Sequence, residues 1–230
     1  MKNILFILFT FISFSLSAQQ MAFTTVDFTA KENSEDNIAQ IFDQFYGNAK
    51  FKSGSILLEK LWQGSQNGST HRIVWIWELD NGGRVEGDMK DFENQAFWSS
   101  FNNLIEKWGS GKSGRILSWK EGDVKAFPYG HLWDISPKDP AAFKKAHDKI
   151  VKDASKVFDN RVVGFGTYDI NRPNGATHWV VIGETDTNGH LSMLDNLETN
   201  YSKAMNQYFE NRGEVENVHD FMIEVLKRYQ

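Results

Sequence analysis

The sequence predicts an α+β protein made of two copies of one β-α-β-β-α-β unit. Two short segments recur at the same distance along the chain. Residues 26–32 (VDFTAKE) match residues 133–139 (WDISPKD), and residues 67–71 (NGSTH) match residues 174–178 (NGATH). Both matches have the same offset, since 133 − 26 = 107 and 174 − 67 = 107. A shared offset in two separate segments indicates a tandem duplication.

Hydrophobic periodicity predicts the elements of each copy in order. Alternating β-branched and aromatic residues predict an opening strand in both copies, and apolar residues at helical spacing then predict a helix. Two strands follow, with an Asn-Gly pair in the loop between them, where positive φ is needed. A second helix and a last strand close each copy. The predicted ranges are 22–29, 38–46, 55–62, 72–78, 97–108 and 115–119 in the first copy, and 130–136, 140–158, 162–170, 178–184, 194–208 and 219–226 in the second.

Two details of this pattern predict local irregularities. The stretch 177–184 is one residue shorter than 70–78, which predicts a bulge in the second copy. Gly109, Gly111 and Gly114 have the spacing of a dinucleotide-binding loop, but they follow a predicted helix and precede a strand, the reverse of what that loop requires. They are therefore interpreted as a flexible helix-to-strand connection.

The predicted element order is that of the ferredoxin-like unit, whose helices cover only one face of the sheet. Its duplication resembles the dimeric α+β barrel superfamily, here in a single-chain tandem form. That superfamily includes antibiotic-biosynthesis-monooxygenase-like, haem-degrading, chlorite-dismutase-like and stress-responsive barrel families. The resemblance implies a single-chain α+β barrel whose halves, residues 19–125 and 126–230, oppose their open sheet faces. No catalytic motif of these families matches residue by residue, and a fold does not define a function.

The N-terminal residues have the composition of a secretory signal peptide. Lys2 precedes an apolar run from Ile4 to Leu16, and Ser17-Ala18 supplies small residues for cleavage. The run is shorter than the roughly 20 residues of a membrane span. We therefore expect residues 1–18 to be removed near Ala18 and the mature chain to be periplasmic or secreted, with no membrane association.

Composition excludes several chemistries. The 230 residues carry a formal net charge of −5 and include no Cys, so disulfides, thiolate catalysis and Cys-ligated metals are excluded. Losing Lys2 with the signal peptide changes the charge to −5 − 1 = −6. Both signs are scattered along the chain, which argues against nucleic acid as a partner. The sequence does not indicate an oligomeric state.

Candidate site residues come from the repeat and from strand parity, because alternate residues of a strand share a face. The repeated polar residues are candidates for acid–base catalysis, although each pair also suits a structural role in turns and caps. Aromatic and imidazole side chains that share one face of a strand are candidates for binding a ligand between the two sheets. If the opposite strand face points inward, the repeated aspartates are the candidates instead. The catalytic candidates are His71, His178, Asp27 and Asp134, and the ligand-binding candidates are Trp75, Trp77, His131 and Trp133.

Three functions are consistent with these residues. In the first, the protein binds a small apolar or aromatic ligand between its sheets. In the second, it is an enzyme without a nucleotide cofactor (monooxygenase-like, haem-handling or a lyase) that uses His and Asp as acid and base. In the third, the barrel interior is filled and the protein is a surface interaction domain. The sequence names no cofactor and contains no recognisable metal motif.

Overall fold

The computed structural model describes residues 20–230, and the predicted signal peptide lies outside this range. Each repeat contributes four strands. The first repeat consists of β1 (Met21–Ala30), α1 (Glu35–Tyr46), β2 (Ser55–Leu61), β3 (His71–Glu78), α2 (Asp91–Asn102) and β4 (Ile105–Lys120). The second consists of β5 (Tyr129–Pro137), α3 (Pro140–Asp153), β6 (Val163–Thr167), β7 (His178–Glu184), α4 (Thr187–Asn200), α5 (Ser202–Asn211) and β8 (Val215–Tyr229).

The eight strands close into one barrel in the order β1-β3-β2-β8-β5-β7-β6-β4. Within each repeat the fourth strand pairs with the first, the first with the third and the third with the second, as in a ferredoxin-like sheet. The repeats join through antiparallel pairs β2–β8 and β4–β6. Every edge strand of one repeat therefore pairs with the other repeat, so closure leaves no unpaired sheet edge. The predicted single-chain α+β barrel is confirmed.

Helix capping is clearest in the second repeat, where sequence and structure agree closely. The side chain of Asp139 accepts hydrogen bonds from the backbone N–H groups of Ala141 and Ala142 at 3.1 and 3.0 Å, and Pro140 occupies the first turn. Asp186 caps α4 by accepting from the N–H of Gly189 at 2.6 Å. Both aspartates satisfy N–H groups that a helix start leaves without partners. In the part of the chain that the structure describes, no helix combines the length and apolar character of a membrane span.

The largest difference from the sequence prediction is at the end of the first repeat. The predicted helix 97–108 ends at Asn102, and β4 begins at Ile105. Gly109, Gly111 and Gly114 lie inside this strand and not in a flexible connection, which corrects the interpretation. Glycine is required at position 114 because a Cβ atom there would lie 1.8 Å from the backbone oxygen of Thr167. Pairing along β1 overrides the helical periodicity of Leu104, Ile105 and Trp108.

Smaller differences concern the second repeat. The predicted helix 194–208 is two helices that meet at Tyr201, and strand 162–170 is shorter than predicted. The predicted bulge is absent from β7, which pairs with β5 and β6 without a register shift. Register shifts occur instead between β1 and β4, β2 and β8, β4 and β6, and β5 and β8. The Asn-Gly loops are as predicted, since Asn67 and Asn174 have φ of 57° and 50°.

Candidate functional site

The barrel interior, where the sequence suggests a ligand, is mostly filled. A cavity of about 110 Å³ remains, lined mainly by apolar side chains such as Phe23, Val74, Leu132 and Val181. A buried ion pair between Arg72 and Glu59 also borders it. An engineered protein cavity that binds benzene measures about 150 Å³. This apolar part of the barrel interior therefore has room for little more than a single ring.

Five of the predicted site residues lie on the outer face of the barrel wall, and not on the face that lines the interior. The inward parity of β3 contains Arg72, Val74 and Ile76, so His71, Trp75 and Trp77 face outward. His131 and Trp133 likewise alternate with the inward-facing Leu132 and Asp134. The structure thus corrects the predicted pocket formed by His71, Trp75, Trp77, His131 and Trp133 between the sheets, because that parity packs under the helices.

His71 and His178 occupy equivalent places at the first residues of β3 and β7. Each Nδ1 lies 2.8 Å from the hydroxyl of the preceding threonine. Each ring stacks on a buried phenylalanine, His71 on Phe28 and His178 on Phe165, with centroids 5.4 and 5.3 Å apart. Burial lowers the pKa of both imidazoles. These contacts give both histidines a structural role in the two repeats.

Asp27 and Asp134 point into the barrel and meet at one end of it. Both line a polar cavity of about 250 Å³ beneath the Asn-Gly loops. Asp27 pairs with Lys112 at 2.7 Å. Asp134 is buried, accepts a hydrogen bond from the hydroxyl of Tyr168 at 2.7 Å and lies 3.5 Å from Nδ1 of His219. Burial raises the pKa of Asp134. The two aspartates therefore face inward, which is the alternative orientation of the strands that the sequence analysis left open.

A larger apolar cavity lies outside the barrel, between the sheet and the helices of the second repeat. It measures about 300 Å³ and is lined by all three helices and by four strands. The size is at the lower end of the range for small-molecule sites, and the lining is apolar and aromatic, as such sites usually are. The side chains that define it best are Trp133, Phe143, Phe158, Leu197, Met205 and Tyr208.

One imidazole in the wall of this cavity has a free nitrogen. His147 on α3 is 5% exposed, and its Nδ1 lies 3.3 Å from the carboxylate of Asp148. A carboxylate accepts, so Nδ1–H is the donor in this contact. Nε2 is buried and has no hydrogen-bond partner. Burial alone would raise the pKa of Asp148, but hydrogen bonds from His147 and Lys144 hold it well below its usual range.

Polar groups gather at the solvent-facing end of the cavity, where Phe209 and Asn217 are exposed. The guanidinium of Arg212 lies 5.3 Å from the Tyr208 ring and 4.8 Å from the Phe209 ring. Burial raises the pKa of Tyr208, so its hydroxyl stays protonated. Among the described residues, Arg212 has no carboxylate within ion-pair distance. The cavity therefore presents a hydroxyl and an unneutralised cation at its opening.

Sequence reasoning did not single out Arg212 or Tyr208, because neither belongs to a motif. His147 lies on a predicted helix and was not among the candidate site residues either. Within residues 20–230, no group of three or more His, Asp or Glu side chains is arranged to hold a metal ion. In the cavity, Nε2 of His147 is the ring nitrogen left without a hydrogen-bond partner, because the other nitrogen faces a carboxylate.

Comparison with known proteins identifies the fold and leaves the function open. No protein-family model and no curated protein matches the chain. Solved structures do match it. A "Putative monooxygenase" from Fusobacterium nucleatum and another from Lactobacillus acidophilus each superpose with a TM-score of 0.58 at 12% identity. These alignments cover 93% and 92% of this chain and 95% and 96% of the other chains.

An anthrone oxidase-like protein superposes with a TM-score of 0.50 at 10% identity, over 92% of this chain and 93% of that one. Identities this low support a shared fold and no shared activity. In this chain that fold is a closed eight-stranded barrel with helices outside it. The chain therefore has the dimeric α+β barrel fold, with both halves in one polypeptide.

Proposed function

We propose that this protein binds a small aromatic molecule with a carboxylate or phenolate group in the helix–sheet cavity of the second repeat. The observation that supports this best is the apolar cavity of about 300 Å³ with Arg212 at its opening. An apolar ring system would fill the space between Trp133 and the helices. Its anionic group would pair with the guanidinium, which has a geometry suited to carboxylates. This location differs from the space between the sheets that the sequence favoured.

The test compares an acid with its neutral ester. Tag-free mature protein is titrated with 2-naphthoate and with methyl 2-naphthoate, and binding is followed through tryptophan fluorescence, since Trp133 lines the cavity. Replacing Arg212 by Met keeps the apolar stem and removes the charge. We expect R212M to weaken 2-naphthoate binding by about tenfold or more, the equivalent of one charged hydrogen bond. Binding of the ester should change by less than about twofold.

The matched control is Arg172→Met, which removes an arginine at the barrel end, in the polar cavity. R172M should bind both probes as the wild type does. Equal loss of acid and ester binding in R212M would show that the arginine supports the cavity structurally. No binding of either probe would refute the proposal.

A second candidate function is oxygenation without a nucleotide cofactor, and the His147–Asp148 pair favours it. The free Nε2 could accept a proton from a substrate with an acidic C–H or O–H group. The resulting anion would donate electrons to O₂. For an activated CH₂ group the balanced reaction is R₂CH₂ + O₂ → R₂C=O + H₂O, in which one oxygen atom enters the product and the other leaves as water. The names of the monooxygenase and anthrone oxidase-like neighbours suggest this class.

Anthrone is a suitable substrate for the test, with O₂ consumption as the measurement. We expect a rate above that of buffer alone, reduced by about 10²-fold or more in His147→Gln, the range for loss of a general base. His178→Gln is the control, because it removes a buried histidine outside the cavity. Oxygen uptake that is the same in wild type and H147Q would exclude His147 as the base. A haemin titration of the same variants separates the haem-handling alternative, which predicts a Soret shift that depends on His147.

We also propose that the chain is exported and cleaved near Ala18, on the basis of the apolar run from Ile4 to Leu16. Intact-mass measurement of the protein from a secreting host tests this. A chain that retains residues 1–18 would contradict it.

A further inference from the structure

The polar cavity beneath the Asn-Gly loops has a composition different from that of the helix–sheet cavity. It measures about 250 Å³, and twelve of the fifteen residues that line it are polar or charged. The three apolar ones are Leu61, Pro173 and Phe221. None of the fifteen lines the helix–sheet cavity, so a ligand bound here is independent of the proposed aromatic ligand.

Each repeat places an aspartate of its first strand beside a basic side chain of its last strand. Asp27 of β1 pairs with Lys112 of β4 at 2.7 Å, and Asp134 of β5 lies 3.5 Å from Nδ1 of His219 on β8. The side chains of Asp27 and Lys112 are each 15% exposed, and that of Asp134 is 3% exposed. The cavity therefore brings together largely buried carboxylates and bases from both repeats.

Both carboxylates keep an oxygen that can accept a further hydrogen bond. Lys112 donates to Oδ2 of Asp27, and among the described residues no group donates to Oδ1. In Asp134, the hydroxyl of Tyr168 donates to Oδ1, while the contact of Oδ2 with His219 is longer than an ordinary hydrogen bond. The ammonium group of Lys112 has two further N–H donors. The cavity thus presents acceptors and donors side by side.

Hydrogen bonds between exposed side chains hold the loops around this cavity in place. The side chain of Asn174 donates to that of Gln66 at 2.9 Å and so joins the two Asn-Gly loops. Asn171 of the second repeat donates to the hydroxyl of Ser110 of the first repeat at 2.8 Å. The site is therefore formed before a ligand enters, and binding requires little ordering of the loops.

The size and the charges of the cavity define the class of ligand. A cavity of about 150 Å³ holds the six carbon atoms of benzene, so about 250 Å³ holds about ten non-hydrogen atoms in proportion. Two carboxylates, Asp27 and Asp134, face two permanent cations, Lys112 and Arg172. This balance favours neither an anion nor a cation. A hydroxyl group donates one hydrogen bond and accepts two, so it can bridge a carboxylate and an ammonium group.

We propose that this cavity binds an uncharged polyol of about ten non-hydrogen atoms, which is the size of a pentose. One hydroxyl donates to the free oxygen of Asp27 and accepts from Lys112, and a second donates to Asp134. The C–H groups of the ligand pack against Leu61 and Phe221. Ligand hydroxyls reproduce the hydrogen bonds of the water that they displace, which an apolar ligand cannot do.

Titration of the ¹⁵N-labelled, tag-free protein with D-xylose, D-ribose and L-arabinose, each to about 20 mM, tests this proposal. At least one pentose should bind with a Kd below about 1 mM and should shift the amide resonances of Ser69 and Ser110. Asp27→Asn should weaken its binding by about tenfold or more, because a charged acceptor is lost. D-Glucuronate, which is xylose with an added carboxylate, should bind no more tightly than the best pentose.

Asp43→Asn is the matched control, because Asp43 also pairs with a lysine, Lys227, at 2.7 Å, but lies on α1 outside the cavity. D43N should bind the pentose as the wild type does. Circular dichroism checks that D27N folds, and the resonance shifts of the wild type locate the ligand without any variant. Absence of pentose binding, shifts confined to other residues, or equal affinity in folded D27N would each overturn the proposal. Tighter binding of D-glucuronate would overturn it in favour of an anion site.

Discussion

The space between sheet and helices is filled in the first repeat and open in the second. In the first repeat, Phe42, Phe97 and Phe101 are completely buried, with ring centroids 5.5–5.6 Å apart. Tyr46 contributes a fourth ring, 5.1 Å from that of Phe97. In the second repeat the corresponding space is a cavity of about 300 Å³. The two repeats share strand order, but the second has two helices, α4 and α5, where the first has α2. The difference is therefore one of helix arrangement as well as side-chain volume.

The helices that precede the last strand of each repeat differ in the side chains that they contribute to the core. In the first repeat, α2 contributes Phe97, Trp98 and Phe101, whereas in the second repeat α5 contributes Ala204, Met205 and Tyr208. The helix of the second repeat therefore supplies fewer aromatic rings. The helix that completes a core in one repeat borders a cavity in the other. Duplication thus allows one repeat to keep a packed core while the other keeps an open cavity.

The largest effect is expected from removing a ring from the packed core of the first repeat. Phe97→Ala should lower the free energy of unfolding by about 3–5 kcal/mol, because it removes a buried ring from a packed cluster and leaves a void. Denaturant unfolding measures the change. Phe92→Ala, on the same helix but 64% exposed, should cost less than about 0.5 kcal/mol. Similar losses in both variants would show that the cluster is not the core of this repeat.

The reverse exchange should close the cavity of the second repeat. Met205→Trp introduces on α5 a ring like that of Trp98 on α2 and should weaken 2-naphthoate binding by more than about tenfold, or 1.4 kcal/mol. Because the new ring fills existing space, the melting temperature should stay the same or rise. Trp98→Met is the converse control and should leave binding unchanged. Undiminished binding in M205W would place the ligand elsewhere.

The smallest expected effect is on the pH dependence of stability. It concerns a feature that both repeats share, a buried histidine that directly follows a threonine. Burial lowers the pKa of His71 and His178 below the ordinary 6.5. Unfolded chains therefore take up protons as the pH falls through 6.5 while folded chains do not, so stability is complete above this pH and decreases below it.

His178→Gln and His71→Gln should each reduce the loss in melting temperature between pH 7.5 and pH 5.0. The reduction should be less than about 4 °C, the upper shift for 1 kcal/mol in a chain of this size. Thermal unfolding at both pH values measures it. A pH dependence that neither variant changes would assign the acid sensitivity to other groups.

The sequence alone predicted the duplication, the element order and the position of most strands, because repeats and periodicity are patterns of residues that lie close together in the sequence. Asp139 and Pro140 at the start of α3, and the Asn-Gly loops, were equally readable, since local hydrogen bonds and positive φ determine them. The extent of β4 was not readable. Glycines within it and apolar residues at helical spacing before it suggested other structures, and only pairing with β1 made them a strand.

Only the tertiary structure decided which strand face lines the barrel. Both parities of β3 contain apolar residues, because one packs against helices and the other against the opposite sheet, so hydrophobicity could not tell them apart. The open cavity depends on the summed volume of side chains from seven elements, so it cannot be predicted from any single segment of the sequence. The pair of Asp27 and Lys112, 85 residues apart, likewise exists only because β1 lies beside β4. Local order is determined by neighbours in sequence, whereas cavities and side-chain clusters are determined by neighbours in space.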